Sequence, residues 1–181
     1  LGAALAIHHM MLDNPRKEIN QDNMRGSYLG PQFSEAETTK ALDRLGAVYN
    51  NLSEDKLFET AADALASGKA IGWMNGRMEY GPRALGARSI IADSRSPTMQ
   101  KMLNLKVKYR ESFRPFAPSI LKEELSHWFE LDEESPYMLM VSEVSKDKRL
   151  APNNDDESLF GIEKLNIPRS KIPAVTHIDY S

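Results

Sequence analysis

Residues 76–118 hold nine basic side chains: Arg77, Arg83, Arg88, Arg95, Lys101, Lys106, Lys108, Arg110 and Arg114. They face only three carboxylates, Glu79, Asp93 and Glu111, so the segment is net +6 in a chain whose total is −3, and the rest carries −9. A guanidinium grips two phosphate oxygens at once. Gly76, Gly81 and Gly86 let backbone N–H groups approach an anion closely. Pro82 and Pro115 stiffen the chain next to Arg83 and Arg114, and a pre-organised cation needs little reorganisation as charge develops. The chemistry suited to this pattern is polyanion binding, with stabilisation of charge that builds on phosphate oxygens.

Other features of the segment leave roles open. Lys106, Lys108 and Arg110 alternate, so in extended backbone they would share a face. Asn104 and Ser112 add neutral polar groups. Glu79 and Glu111 either orient Arg side chains or take part in chemistry, and spacing does not separate the two. For any single Arg the plain alternative is a surface or salt-bridge role. Tyr80, Tyr109, Phe113 and Phe116 would also suit base stacking in a nucleic-acid groove. Against that groove stand the glycines and prolines, which suit a tight pocket, and the acidic remainder of the chain.

The remaining candidates are thin. His8 and His9 are adjacent, so on a helix they point ~100° apart and do not share a metal. His127 and His177 have no partner pattern, and no metal site is read from these residues. Ser89 and Ser112 lack a His/Asp partner for a hydrolytic triad. The nine methionines read as core filler.

The elements that must position the basic residues follow from periodicity and punctuation. Residues 2–12 read as a helix with Ala3, Ala4, Ile7 and Met11 on one side. Residues 13–33 are turn-rich. Ser34 and Glu37 form a capping box opening a helix to about Leu45. A second helix starts at Ser53 and ends at Gly68. Residues 69–74 read as a buried strand, 76–86 as irregular, and 89–92 as a second strand. Ser96 is expected to cap a helix with Pro97 at its first position. Residues 113–121 read as extended, 122–129 as a short helix, 137–144 as a third strand and 172–178 as a last one. Residues 153–157 read as a turn or disordered tip. Strand–helix alternation points to an α/β domain.

Composition sets the outer bounds. With 41% apolar and 27% charged residues, the 181-residue chain has the make-up of one soluble globular domain. The lack of cysteine excludes disulfides and thiolate metal sites, and fits a reducing, cytoplasmic setting. No apolar run approaches the ~18 residues of a membrane span. Residues 1–12 lack the basic leader of a signal peptide. The weakly acidic total argues against bulk nucleic-acid or anionic-membrane binding.

Two motifs, GRMEYGPRALGARSIIADSR and LNLKVKYRESFRPFAPSIL, closely resemble the C-terminal domain of the O-carbamoyltransferase family. That family includes nodulation-type enzymes and enzymes of antibiotic biosynthesis acting on tobramycin and cephalosporins. GSYLGPQF (26–33) is similar to its inter-domain region, and LGAALAIHH (1–9) to the last helix of its preceding actin-like domain. The resemblance implies three parts: residues 1–12 from the actin-like domain, 13–52 an inter-domain linker and helix, and 53–181 a partial YrdC-like domain. That fold is a twisted mixed sheet with flanking helices around a positive cavity, expected here to be incomplete at the C-terminus.

The resemblance also implies an activity. Carbamoyl phosphate and ATP would form carbamoyl adenylate, and the carbamoyl group would pass to a hydroxyl of a small-molecule acceptor. It assigns catalytic and ATP-binding roles to Arg83 of GPRALG, Lys108 of VKYR and Arg114 of FRPFAP, with Arg88, Ser89 and Arg110 as neighbouring nucleotide contacts. A Mg²⁺ ion would be a reasonable helper, although no carboxylate cluster announces its site. Iron is expected only in the actin-like domain, which would be the partner of this segment. No nucleic-acid or membrane partner is expected. The isolated chain, read as a truncated excerpt, is not expected to complete transfer. A threonylcarbamoyl-adenylate synthase of RNA modification shares the fold idea but usually lacks GPRALG. A non-catalytic nucleotide- or nucleic-acid-binding module is the alternative from another class.

Overall fold

The computed structural model describes residues 2–17, 21–151 and 159–181. Helix α1 spans Gly2–Ala6 and runs on as a π-helical turn over Ile7–Met11, with none of its residues buried. Helix α2, Glu35–Arg44, begins at the expected capping box: Ser34 accepts from the Glu37 amide, and Glu37 reaches back to the Ser34 amide. Helix α3, Glu54–Ala66, follows Ser53, whose side chain makes no capping bond. The chain leaves α3 through Gly68 at φ +75°, a left-handed position suited to glycine.

Strands β1, Ile71–Met74, and β2, Arg88–Ile91, pair antiparallel with Ile71 opposite Ile91 and Met74 opposite Arg88. Trp73 on one face stacks on Phe58 of α3, with ring centroids 6.4 Å apart. The other face, with Gly72, Met74 and Ile90, is exposed, so β1 is half-buried rather than buried. Among the described residues the expected mixed sheet is this one antiparallel pair. Helices and strands together remain compatible with an α/β chain.

Beyond β2 comes α4, Met99–Met102, which continues into a π-helical turn over Leu103–Val107. Here two expectations fail. The helix starts after Thr98, and Ser96 contributes its carbonyl rather than a side-chain cap. Lys106 and Lys108 lie in and just after a helical turn, so the shared extended face does not form. Burial explains this: Leu103 and Asn104 both turn inward, which the helical turn permits and strand alternation forbids.

Helix α5, Leu125–Trp128, is preceded by a 3₁₀ turn over Lys122–Glu124, as the short helix near 122–129 requires. The strand expected over 137–144 reduces to one bridge between Phe129 and Val144. Met138 sits at φ +55°, outside strand geometry, and Leu139 and Val141 both face solvent. The last expected strand is a 3₁₀ turn over Pro173–Val175, because Pro173 has no amide hydrogen to give a ladder. Residues 153–157 lie outside the described residues.

Two small cores hold these pieces. Met99, Leu103 and Ala174 are buried together against Ala70, Ala92, Met102 and Phe116. Phe129, Val144 and Ile172 form the other, with Leu125, Trp128 and Val175 packed around them. The 170–176 segment therefore joins the cores by giving Ile172 to one and Ala174 to the other. No described helix is long and apolar enough to cross a membrane.

Candidate anion site

The loop between β1 and β2 carries the first motif, and it is organised around a buried acid. Glu79 is 3% exposed. Its Oε1 accepts from the amides of Leu85 at 2.6 Å and Ala87 at 2.8 Å, and its Oε2 accepts from Arg88 Nε at 3.1 Å. Burial alone would raise its pKa, but those amides, its own amide and the Arg88 guanidinium outweigh burial and hold it at about 2. Glu79 therefore orients the loop and Arg88 as an anion. Arg88 also donates to the Gly81 carbonyl. Ser89 Oγ accepts from the Gly86 amide at 3.2 Å.

The turn-rich segment near residue 28 completes this loop. Gly30 donates to Met78 O at 2.9 Å, Met78 to Pro31 O at 2.9 Å and Tyr80 to Ser27 O at 2.7 Å. Tyr28 Oη donates to Leu85 O at 2.7 Å, and Arg77 to Gly30 O at 2.8 Å. Sequence reading missed Tyr28, because its partner lies 57 residues away. Farther back, Asp22 is tied to the Tyr137 hydroxyl, which also accepts from the Gly26 amide at 3.1 Å.

The second motif is organised around Asn104, which is fully buried. Its Nδ2 donates to Ser112 O at 3.1 Å and Arg114 O at 2.8 Å, and its Oδ1 accepts from Arg110 Nε at 2.6 Å. The Arg110 guanidinium also lies 5.0 Å from the Phe116 ring centroid. Arg114 Nε meets Glu111 at 3.0 Å in an exposed pair of the kind worth little. In the sequence Asn104 is only a neutral polar neighbour; its burial is what makes it the anchor.

The six residues singled out by sequence thus fall into two kinds. Arg88, Ser89 and Arg110 are engaged in holding their own loops. Arg83 and Lys108 are exposed, and among the described residues neither side chain meets a carboxylate. Arg114 is exposed with only its surface pair. The structure groups Arg83 with the Glu79 loop and Lys108 and Arg114 with the Asn104 loop. Among the described residues no side-chain hydrogen bond joins the two loops, and no group of three His, Cys, Asp or Glu stands ready for a metal ion.

Comparison with known proteins gives the family. Residues 62–181 match the family model described as Carbamoyltransferase C-terminus. The chain belongs to the carbamoyltransferase family. It is 55% identical along its whole length to an uncharacterized protein of Synechocystis sp., of which it covers 30%. It is 38% identical to Nodulation protein NolNO of Sinorhizobium fredii, over 82% of this chain and 22% of that protein. It is 37% identical to the 3'-hydroxymethylcephem-O-carbamoyltransferase of Streptomyces clavuligerus, over 66% of this chain and 19% of that one. The chain thus spans less than a third of the length of these relatives. Both loops of this carbamoyltransferase chain lie inside the family match, whereas the Tyr28 segment bonded to the first loop lies before it.

Proposed function

We propose that this chain is the part of an O-carbamoyltransferase that binds carbamoyl phosphate and ATP and forms carbamoyl adenylate. The observation that carries the proposal is the contrast within the cationic segment. Arg83 and Lys108 are exposed and meet no carboxylate among the described residues, while the loops bearing them are anchored by buried Glu79 and Asn104. Anchored loops with exposed cations suit a phosphate-rich ligand, because the cost of arranging the donors is met in folding.

Water cleaves carbamoyl phosphate to carbamate and inorganic phosphate. A carbamate oxygen then attacks the α-phosphorus of ATP, the bond to the β-phosphate oxygen breaks, and its electron pair leaves with pyrophosphate. Carbamoyl adenylate remains. Negative charge grows on the phosphate oxygens, and Arg83, Lys108 and Arg114 would meet it. Arg88, Ser89 and Arg110 act by keeping those loops in shape. A hydroxyl of a small-molecule acceptor finally displaces AMP from the carbamoyl carbon and loses its proton.

The rest of the polypeptide would supply the acceptor cleft and an iron site in a preceding actin-like domain, with α1 as its last helix. The segment near residue 28 would join the two parts. The complete C-terminal domain would be YrdC-like, with further strands extending the β1–β2 pair. Any Mg²⁺ would arrive with the phosphates of ATP, since the described residues offer no carboxylate cluster for it.

The test is titration of ATP and carbamoyl phosphate into the full-length protein and its Arg83→Ala and Arg114→Ala variants, with pyrophosphate release measured in parallel. Losing a charged hydrogen-bond partner should weaken binding by about ten-fold or more. Unchanged affinity and unchanged pyrophosphate release in both variants would defeat the proposal.

A further inference from the structure

We infer that Tyr109 is the platform on which the base of the bound nucleotide stacks, an inference that rests on the ATP reading above. Tyr109 has φ +50°, in the left-handed region that an aromatic residue enters only against steric resistance. The residue is 86% exposed, so no packing within the described residues offsets that strain.

The conformation is imposed from both sides. Lys108 donates its amide to Leu103 O at 2.9 Å, and Arg110 donates its amide to Asn104 O at 3.0 Å. Both acceptors belong to buried residues, so the backbone at Tyr109 is tied on both sides to the core. These two bonds close the helical turn in the way that puts a left-handed residue just past a helix end, and they fix where Tyr109 stands. The other aromatics of the segment differ. Neither Tyr80 nor Phe113 takes the left-handed backbone, and Phe116 already lies against the Arg110 guanidinium.

The chemistry of the tip selects the ligand. An exposed aromatic ring on a backbone held at both neighbours stands in sequence between Lys108, which is exposed and meets no carboxylate among the described residues, and Arg110. Cation and ring together match a ligand with both phosphate and a flat heterocycle, and a ring face stacks on any base. Inorganic polyphosphate would satisfy the cations alone.

The experiment compares ATP with inorganic tripolyphosphate by calorimetric titration of the full-length protein and two variants. Tyr109→Asn removes the ring but tolerates the left-handed backbone, so it should fold with unchanged or raised Tm. Tyr109→Phe keeps the ring. ATP affinity should fall about ten-fold in Tyr109→Asn, with tripolyphosphate affinity unchanged and both affinities unchanged in Tyr109→Phe. If wild type binds both ligands and Tyr109→Asn loses neither, or loses both equally, the stacking role is overturned alone. If wild type binds neither, the ATP reading falls and takes this inference with it.

Discussion

Arg110 Nε donates to Asn104 Oδ1 at 2.6 Å, while Nδ2 of the same Asn104 holds the carbonyls of Ser112 and Arg114. One fully buried amide thus fixes a basic loop from three directions. Asn104→Ala leaves two carbonyls and a guanidinium without their partner, and should cost about 2–4 kcal/mol. Asn104→Asp keeps the acceptor but turns an oxygen on two carbonyls, so it should recover little of that loss. Denaturant unfolding of the full-length protein measures both. Losses below about 1 kcal/mol in each would show the loop is held by something else.

Glu79 predicts an acid-sensitive step. Its pKa is held at about 2, against an ordinary 4.5. The unfolded chain therefore binds this proton at a higher pH than the folded one, and stability rises with pH across that interval. The contribution of Glu79 is complete above 4.5 and lost as pH falls to about 2. Glu79→Gln should be less stable at pH 7, and its stability should fall less steeply between those limits. Parallel pH–stability curves for the two proteins would contradict the assignment.

Glycine substitutions should separate two kinds of position. A Cβ on Gly30 would stand 2.9 Å from the carbonyl oxygens of both Met78 and Glu79, which are backbone and have little room to move. Gly30→Ala should cost about 1–3 kcal/mol, the usual range for overpacking. A Cβ on Gly72, on the exposed face of β1, would meet nothing within 4 Å, and Gly72→Ala should change the melting temperature little. Equal shifts in the two variants would refute the close seating of residue 30.

Arginine replacements should show which cations are committed. Arg95 grips Asp93 with Nε at 2.9 Å and Nη2 at 2.7 Å, so Arg95→Ala should leave ATP affinity unchanged. Arg83→Ala should leave stability within about 0.5 kcal/mol and weaken ATP binding. A reversal of that pattern, measured by titration and thermal unfolding, would move the anion site away from GPRALG.

The elements read correctly from sequence are those with local causes. Ser34 and Glu37 lie three apart, so their reciprocal cap is written in one turn of chain. Gly68 stops α3 by its own backbone freedom. The pair β1 and β2 is announced by two apolar runs separated by a glycine-rich stretch. The failures have non-local causes. Residues 137–144 have strand composition, but among the described residues only Val144 finds a bridge partner, and a strand without a neighbour is not a strand. Residues 103–110 carry both alternation and helical spacing, and burial of Leu103 with Asn104 decides for the helical turn.

The site divides in the same way. Its exposed cations were legible, because residue type and local density announce them. Its anchors were not. Glu79 and Asn104 are ordinary letters whose importance comes from being buried among loop amides and carbonyls, and Tyr28 acts across 57 residues.

The bonding of residues 27–31 to residues 77–80 bears on how this protein should be dissected in the laboratory. A cut placed at residue 62, where the family match begins, would strip Gly30, Pro31 and Tyr28 from the loop they brace. Recombinant pieces starting there should express with a loosened GPRALG loop and bind ligand poorly for reasons unrelated to catalysis. Pieces that begin ahead of Asp22 keep the brace together with its tie to Tyr137, and are the fair starting point for measuring what the cationic loops do.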